Sequence, residues 1–222
     1  MMMLPNISKF IKTYITKREK SFFSNDLINN KERLIKEIKG KSILVIGGAG
    51  TIGSSYIKAA LKYYPSELFV VDTNENGLTE LTRTLRSDTN ITVPDSYLTY
   101  PMSFNSDVFY KILKKHGSFD IIANFAAHKH VRSEKDSFSI EAMFKNNVLD
   151  AKRLLDYLKL NKPSHFFCVS TDKAANPVNV MGGSKKIMEN VIMSYAADLK
   201  ITTARFANVA FSNGSLLYGY IE

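Results

Sequence analysis

Three consecutive residues after an apolar run, Thr171, Asp172 and Lys173, carry groups that can transfer protons. The run before them, HFFCVS, predicts a buried strand, so a hydroxyl, a carboxylate and an amine would stand together at one strand end. Such a set can donate and accept protons. A helix cap with a surface salt bridge is the simpler interpretation of the same residues. Lys185, in the next predicted helix, would add a further positive charge.

A glycine-rich run, GGAGTIG at residues 47–53, lies directly between a predicted strand and a predicted helix. Glycines there permit a tight turn and a close approach of backbone N–H groups to a pyrophosphate. Asp72 ends the second predicted strand about twenty residues later, where a carboxylate accepts hydrogen bonds from ribose hydroxyls. The alternative is a glycine-rich turn that holds no ligand.

The segment NFAAHKHV, residues 124–131, follows the fourth predicted strand. Ala126 and Ala127 are small enough for a dinucleotide to lie against the backbone, although close packing of a helix on the sheet also requires small residues. Lys129 and His130 would face the crevice at the carboxyl ends of the strands, where ligands bind in such folds. The residues that we expect to contact a dinucleotide are Gly47, Gly50, Thr51, Ile52, Gly53, Asp72, Ala126, Ala127 and Lys185.

Alternating apolar runs and helical patterns position these residues. The predicted strands are 42–47, 67–72, 96–100, 119–125, 165–170 and 201–206. The predicted helices are 52–64, 76–85, 107–116, 140–160 and 184–199. Continuously apolar strands separated by helices indicate a parallel sheet that is buried on both faces. The sequence therefore predicts an α/β fold with a doubly wound, mainly parallel Rossmann sheet.

Residues 1–40 form a basic leader, because residues 1–41 hold ten Lys and Arg against four Asp and Glu. One helix is predicted at 26–39, with its apolar side chains on roughly one side. These side chains are Leu27, Ile28, Leu34, Ile35 and Ile38. We expect this face to pack on the main domain or on a neighbouring subunit, and we favour such packing over contact with a membrane surface.

The composition, 45% hydrophobic and 23% charged, is that of a soluble globular domain and excludes a disordered or coiled-coil chain. The lone cysteine, Cys168, excludes a disulfide framework and a cysteine-based zinc site, and we expect no metal. The sequence shows neither an apolar run long enough to span a bilayer nor a secretory signal. We therefore expect a cytoplasmic protein.

From about Lys41 onward the chain resembles the polysaccharide-biosynthesis branch of the extended short-chain dehydrogenase/reductases, and within it the UDP-N-acetylglucosamine 4,6-dehydratases. The segments that carry the resemblance are GGAGTIG, VVD, AAHKHV, KNNVLDAKRLL, VSTDKAANPVNVMGGSKK and RFANVAFSNGS. The fifth is specific to this branch, whereas GGAGTIG is shared by the whole superfamily. The resemblance implies that residues 41–222 form an NAD(P)-binding Rossmann domain with the start of a sugar-nucleotide site.

Three departures from the family pattern stand out. Met181 takes the place of the tyrosine in the superfamily's Tyr-x-x-x-Lys motif, as it does in one subgroup of these dehydratases. After the third strand, where the family usually places Gly-Asp, the segment reads Tyr100-Pro101-Met102-Ser103 and lacks the Asp that would lie near the adenine. Family members continue for about a hundred residues beyond the equivalent of Glu222, so we expect the C-terminal substrate domain to be largely absent from this chain and the chain alone to lack turnover.

The resemblance implies a 4,6-dehydratase that makes a 4-keto-6-deoxy sugar nucleotide for surface polysaccharide, with a tightly held NAD. Thr171 would hydrogen-bond the C4 oxygen, Asp172 would protonate the leaving C6 hydroxyl, and Lys173 would remove the C5 proton. Lys185 would hold the nicotinamide ribose, and burial of Lys173 beside Lys185 would lower the pKa of Lys173 and favour the uncharged base. The residues expected to bind the substrate are Lys129, His130, Met181 and Asn208.

Several alternatives stay open. A nucleotide-sugar epimerase of the same family, or a dehydratase that inverts C5, would use similar residues. A further alternative is that the chain is not an enzyme but a dinucleotide-binding module within a larger assembly. We expect NAD rather than NADP, because Asp72 repels a 2′-phosphate and the next three residues contain no arginine. We further expect a sugar nucleotide as the substrate, a homo-oligomer and no nucleic acid partner.

Overall fold

The computed structural model describes residues 7–128, 134–209, 212 and 215. The chain divides into two compact units, residues 1–37 and 38–222. Of the helices in the described residues, none is both long and apolar enough to cross a membrane.

Short helices make up the first unit. Helix α1 (Ile7–Phe10) continues into a π-helical segment at Ile11–Thr16, and helices α2 (Ser24–Asn29) and α3 (Lys31–Ile38) follow. The single helix predicted at 26–39 is therefore wrong. Its interruption is at Asn30, where the backbone leaves helical angles and the amide N–H is shared between two carbonyl oxygens. Leu27 and Ile28 are 51% and 70% exposed in this chain.

Six parallel strands form one sheet within the described residues, in the order β3-β2-β1-β4-β5-β6. The strands are β1 (Ser42–Ile46), β2 (Glu67–Asp72), β3 (Ser96–Pro101), β4 (Ile121–Asn124), β5 (His165–Thr171) and β6 (Ile201–Phe206). The strand order reverses between β1 and β4, which creates a crevice at their carboxyl ends. The prediction of a doubly wound fold is confirmed.

The helices of the second unit connect these strands. They are α4 (Thr51–Leu61), α5 (Glu75–Ser87), α6 (Asp107–His116), α7 (Ser137–Phe144), α8 (Asp150–Leu160) and α9 (Val180–Ser194). The helix predicted at 140–160 contains a π-helical segment at Lys145–Leu149 between α7 and α8. The helix predicted from Ser184 begins four residues earlier, because Asn179 caps it by accepting from the Gly182 N–H.

Two apolar clusters, one on each face of the sheet, fix the strands. One is built around β1, α4 and α5, and Ile38 packs against it. The other joins the opposite side chains of β1, β2 and β5 to α6, α8 and α9. Burial of apolar side chains from β1 on both sides explains its unbroken apolar sequence. Helices α4 and α9 are thereby held with their first turns near the carboxyl edge of the sheet.

Candidate functional site

The glycine run after β1 has a backbone that larger residues could not adopt. Gly47 has φ of 76°, and a Cβ there would lie 2.6 Å from the Ala126 nitrogen. A Cβ on Gly53, in the first turn of α4, would collide with the Gly47 carbonyl oxygen. Gly50 has steric room for a Cβ and serves as the N-cap of α4. The turn is therefore packed against the segment after β4, as close backbone approach requires.

Asp72 connects the end of β2 to this glycine turn. One carboxylate oxygen accepts from the Ala49 N–H at 3.0 Å and the other accepts from the Asn74 N–H at 2.9 Å. Each oxygen keeps a second lone pair for a further donor. The carboxylate is thus fixed beside the glycine turn, and its remaining lone pairs are available to other donors.

A cavity of about 470 Å³ opens at the carboxyl ends of β1, β2 and β4. Gly47, Gly50, Asp72, Ala126 and Ala127 form one part of its wall, whereas Thr51, Ile52 and Gly53 in the first turn of α4 do not line it. The other residues that line the cavity are Ile46, Val71, Thr73, Met102, Ser103, Phe104, Asn105, Phe125, His128, Ala142, Lys145, Asn146 and Asp150. The glycine turn, the helix N-terminus and the carboxylate fit the pyrophosphate and ribose of a nicotinamide dinucleotide.

Asn147, which sequence reasoning missed, holds the segment after β4 in place. Its buried amide accepts from the His128 N–H at 2.9 Å and donates to the His128 carbonyl oxygen at 3.0 Å. It also donates to the Ser184 hydroxyl at 3.1 Å. One side chain therefore ties the cavity wall to α9. Asn147 belongs to KNNVLDAKRLL, one of the segments that carry the family resemblance, and this membership could have indicated its importance.

Thr171, Asp172 and Lys173 form one hydrogen-bonded cluster with Asn208. The Thr171 hydroxyl donates to the Asp172 carboxylate at 2.9 Å, and the Lys173 ammonium lies 3.3 Å from the same oxygen. The ammonium also donates to the Asn208 amide oxygen at 3.0 Å. The structure thus brings together three predicted catalytic residues and one predicted substrate-binding residue.

The hydrogen bonds of this cluster favour the ionised form of Asp172. The hydrogen bond from the Thr171 hydroxyl, supported by Lys173, holds the pKa of Asp172 below its usual value. This direction opposes the protonated form that an acid needs. The Lys173 side chain is 36% exposed, so the burial expected for it beside Lys185 is wrong. The reason is geometric, because Lys173 extends toward Asp172 and Asn208.

Lys185 is deeply buried, and only 4% of the residue is exposed. Its ammonium donates to the Val169 carbonyl oxygen at 3.0 Å and approaches the Met188 sulfur at 3.4 Å. Burial lowers the pKa of Lys185. The residue is therefore anchored below the end of β5, on the same helix as Met181.

Met181 lies in the first turn of α9 and is also buried, with 3% exposed. Its backbone N–H donates to the Glu134 carboxylate at 2.7 Å, a contact that the sequence did not indicate. Lys129 and His130 lie outside the described residues. Within the part of the chain that the structure describes, His, Cys, Asp and Glu form no group of three suited to a metal ion.

The sequence matches the profile of a family described as polysaccharide biosynthesis protein over residues 43–222. An uncharacterized membrane protein of Methanocaldococcus jannaschii is 36% identical over 81% of this chain and 52% of its own length. The capsular polysaccharide biosynthesis protein CapD of Staphylococcus aureus is 32% identical over 82% and 30%. The inverting UDP-N-acetylglucosamine 4,6-dehydratase of Campylobacter jejuni is 26% identical over 80% and 52%. The chain thus spans about half or less of these relatives.

Solved structures share the fold. Pen from Bacillus thuringiensis superposes with a TM-score of 0.71 at 23% identity, over 82% of this chain and 55% of that one. The UDP-Glc/GlcNAc 4-epimerase of Campylobacter jejuni has a TM-score of 0.65 at 23% identity, over 78% and 55%. WbmF of Bordetella bronchiseptica, solved with NAD⁺, has a TM-score of 0.60 at 20% identity, over 79% and 54%.

Proposed function

This chain belongs to the polysaccharide biosynthesis protein family, and from that premise we propose that it is the cofactor-binding part of a nucleotide-sugar 4,6-dehydratase of the UDP-N-acetylhexosamine type. The observation that carries the proposal is the pair formed by Asp172 and Lys173 at the end of β5. A dehydration needs one group to remove a proton and another to protonate the leaving hydroxyl. Met181 supplies neither, because a thioether has no proton to exchange.

NAD is the proposed cofactor. The fit of the glycine turn and the fixed carboxylate of Asp72 supports a dinucleotide whose ribose carries free hydroxyls. WbmF, which shares the fold, was solved with NAD⁺. When bound, NAD supplies the acceptor for hydride from C4 of the hexose and its return to C6.

The residues at the end of β5 would perform the proton transfers. The Thr171 hydroxyl holds the C4 oxygen, and Lys173 takes the proton from C5, which the C4 ketone has made acidic. Asp172 gives a proton to the leaving C6 hydroxyl. Because the pKa of Asp172 is lowered, its carboxylate must gain a proton during the reaction before it can act as the acid. The hydroxyl proton that is released when hydride leaves C4 would pass through the Thr171 hydroxyl to Asp172, and it would then leave with the C6 hydroxyl as water. Lys173 acts at C5 in its uncharged form.

An epimerase is the second candidate. The similarity to the UDP-Glc/GlcNAc 4-epimerase of Campylobacter jejuni favours it, since both reactions begin with oxidation at C4. An epimerase needs no acid for a leaving hydroxyl. Its reaction would therefore not explain why a potential acid, Asp172, and a potential base, Lys173, lie next to each other. A non-catalytic dinucleotide-binding module would need the glycine turn, but substitution of Asp172 or Lys173 would not impair its binding of the dinucleotide.

Mass spectrometry of the sugar nucleotide tests the proposal. We would incubate the natural gene product that contains residues 1–222 with UDP-N-acetylglucosamine and catalytic NAD. The proposal expects a product lighter by one water, and an epimer of unchanged mass or an unreacted substrate would refute it. Residues 1–222 alone should bind NAD without turnover, because they match only about half of the dehydratase relative.

A further inference from the structure

Residues 9–23, which we call the leader surface, expose large apolar side chains to solvent. The five side chains are Phe10, Tyr14, Ile15, Phe22 and Phe23, with exposed fractions of 44, 68, 60, 76 and 70%. Single exposed hydrophobic residues are ordinary on a protein, whereas a concentration of them within one short stretch marks an interaction site. The exposed apolar side chains therefore indicate that the leader surface interacts with a partner.

Positive charge is concentrated on the same stretch, which contains five basic residues and one acidic residue. The basic residues are Lys9, Lys12, Lys17, Arg18 and Lys20. The acidic residue, Glu19, lies 3.7 Å from Lys12. The Arg18 guanidinium carbon stands 3.6 Å from the centre of the Phe22 ring. Cationic and aromatic groups are thus interleaved, and the partner should be negatively charged.

The local structure presents both kinds of group together. Phe10 and Tyr14 are four residues apart along the helical segment, and their ring centres are 5.3 Å apart. This spacing places them on one side of the segment. Interfacial segments of peripheral proteins combine aromatic and aliphatic side chains with lysines and arginines that meet anionic headgroups.

We propose that the leader surface docks the protein on an anionic phospholipid membrane, with its aromatic rings at headgroup depth and its lysines against lipid phosphates. Single-stranded nucleic acid would use the same charges and rings through stacking. A nucleic acid would not contact the exposed aliphatic side chain of Ile15, because stacking uses aromatic rings. A bilayer accommodates aliphatic and aromatic side chains alike, so the membrane accounts for the whole surface.

Sedimentation with vesicles tests this proposal on the full chain. Vesicles of phosphatidylcholine mixed with phosphatidylglycerol should bind the protein, and vesicles of phosphatidylcholine alone should bind it at least tenfold more weakly. The double variant Phe22→Ser, Phe23→Ser should lose at least tenfold in binding. The matched control is Phe138→Ser in the second unit, where a phenylalanine is 80% exposed, and it should bind like the wild type.

A second pair of variants tests the charge. The triple variant Lys17→Glu, Arg18→Glu, Lys20→Glu should lose more than a hundredfold, because each basic residue near an anionic surface contributes about fivefold. The matched control reverses three exposed lysines of α6 and should retain most of the binding. The control lysines are Lys111, Lys114 and Lys115.

Deletion of residues 1–23 provides the check on folding. The deleted protein should keep its melting temperature and its NAD affinity while losing vesicle binding. The proposal is overturned if the deleted protein still binds vesicles, or if the aromatic and charge variants bind as well as their controls. The proposal is also overturned if the wild-type protein does not bind vesicles and the leader variants instead abolish binding of an oligonucleotide. The same conclusion follows if the wild-type protein does not bind vesicles and the leader variants change the oligomeric mass.

Discussion

The Lys173 ammonium donates to the Asn208 amide oxygen at 3.0 Å, a contact that joins the end of β5 to the segment after β6. The same ammonium lies 3.3 Å from the Asp172 carboxylate. Lys173 is therefore held between a residue proposed as the acid and a residue proposed to bind the sugar. Its position follows from the pairing of β5 with β6, which brings these two segments side by side.

We predict that Lys173→Ala and Asp172→Asn each lower dehydration by about 10²–10⁴-fold, the usual cost of losing a positioned acid or base. NAD affinity should not change, because neither side chain lines the dinucleotide cavity. Lys185→Ala should weaken NAD binding as well, because the role proposed for its ammonium is to hold the nicotinamide ribose. Steady-state turnover and NAD titration on the natural gene product measure both effects. Lys186→Ala is the matched control, and wild-type turnover in Lys173→Ala would remove this residue from the mechanism.

We predict that NAD binds more tightly than NADP, and that Asp72→Asn narrows this preference. The asparagine oxygen can still accept from the Ala49 N–H, but the hydrogen bond from the Asn74 N–H is lost, together with the charge that repels a 2′-phosphate. Calorimetric titration of residues 1–222 with both dinucleotides measures the ratio. Glu80→Gln, an exposed carboxylate on α5, is the control. An equal affinity of the wild type for both dinucleotides would contradict the role given to Asp72.

We predict that Gly47→Ala lowers the free energy of unfolding by more than about 1 kcal/mol and abolishes NAD binding. The left-handed backbone alone costs a side chain about 1–2 kcal/mol, and the new Cβ meets the Ala126 backbone. Gly183→Ala is the control, because no atom lies within 4 Å of its Cβ position and alanine favours the helix. If Gly47→Ala has the same free energy of unfolding and the same NAD affinity as the wild type, the turn has a conformation other than the one described.

We predict a pH-dependent loss of stability from the bidentate pair of Glu189 and Arg205, whose nitrogen–oxygen distances are 2.9 and 2.7 Å. Hydrogen bonds from Arg205 lower the pKa of Glu189 from its usual 4.5. The pair therefore stabilises the fold above pH 4.5 and this contribution is lost as the pH falls through the lowered pKa.

The corresponding measurement is urea unfolding of the wild type and of Glu189→Gln across pH. At neutral pH the variant should be less stable by about 1–3 kcal/mol, the value of hydrogen bonds between charged groups. The difference should shrink in acid, because the wild-type carboxylate becomes protonated. A difference that stays constant with pH would contradict the account of this pair.

The strands and the glycine turn were predictable because their signals are local. The apolar run of β1 leads directly into the glycine turn, and the apolar run of β2 ends at Asp72. The start of α9 was not predicted, since its cap, Asn179, stands between two valines, Val178 and Val180, and gives no local capping pattern. The interruption at Asn30 was missed as well, because one off-helical residue leaves the apolar periodicity intact.

Long-range contacts explain the remaining differences. Asn147 meets His128 and Ser184, which are 19 and 37 residues away along the chain. The charge state of Asp172 depends on which groups donate to it, and residue spacing does not reveal that. The sequence placed Lys173 and Lys185 near one strand end, whereas the structure directs the first outward and buries the second.

Lys173 and Asp172 are proposed to catalyse loss of water across C5 and C6, and the origin of the C5 hydrogen in the product tests this role. We would run the reaction with UDP-N-acetylglucosamine in D₂O and locate deuterium in the product by NMR. We predict a 4-keto-6-deoxy product with deuterium at C5, because the proton removed there is replaced from solvent. A product without solvent deuterium at C5, with its C6 hydroxyl retained, would contradict it and identify an epimerase instead.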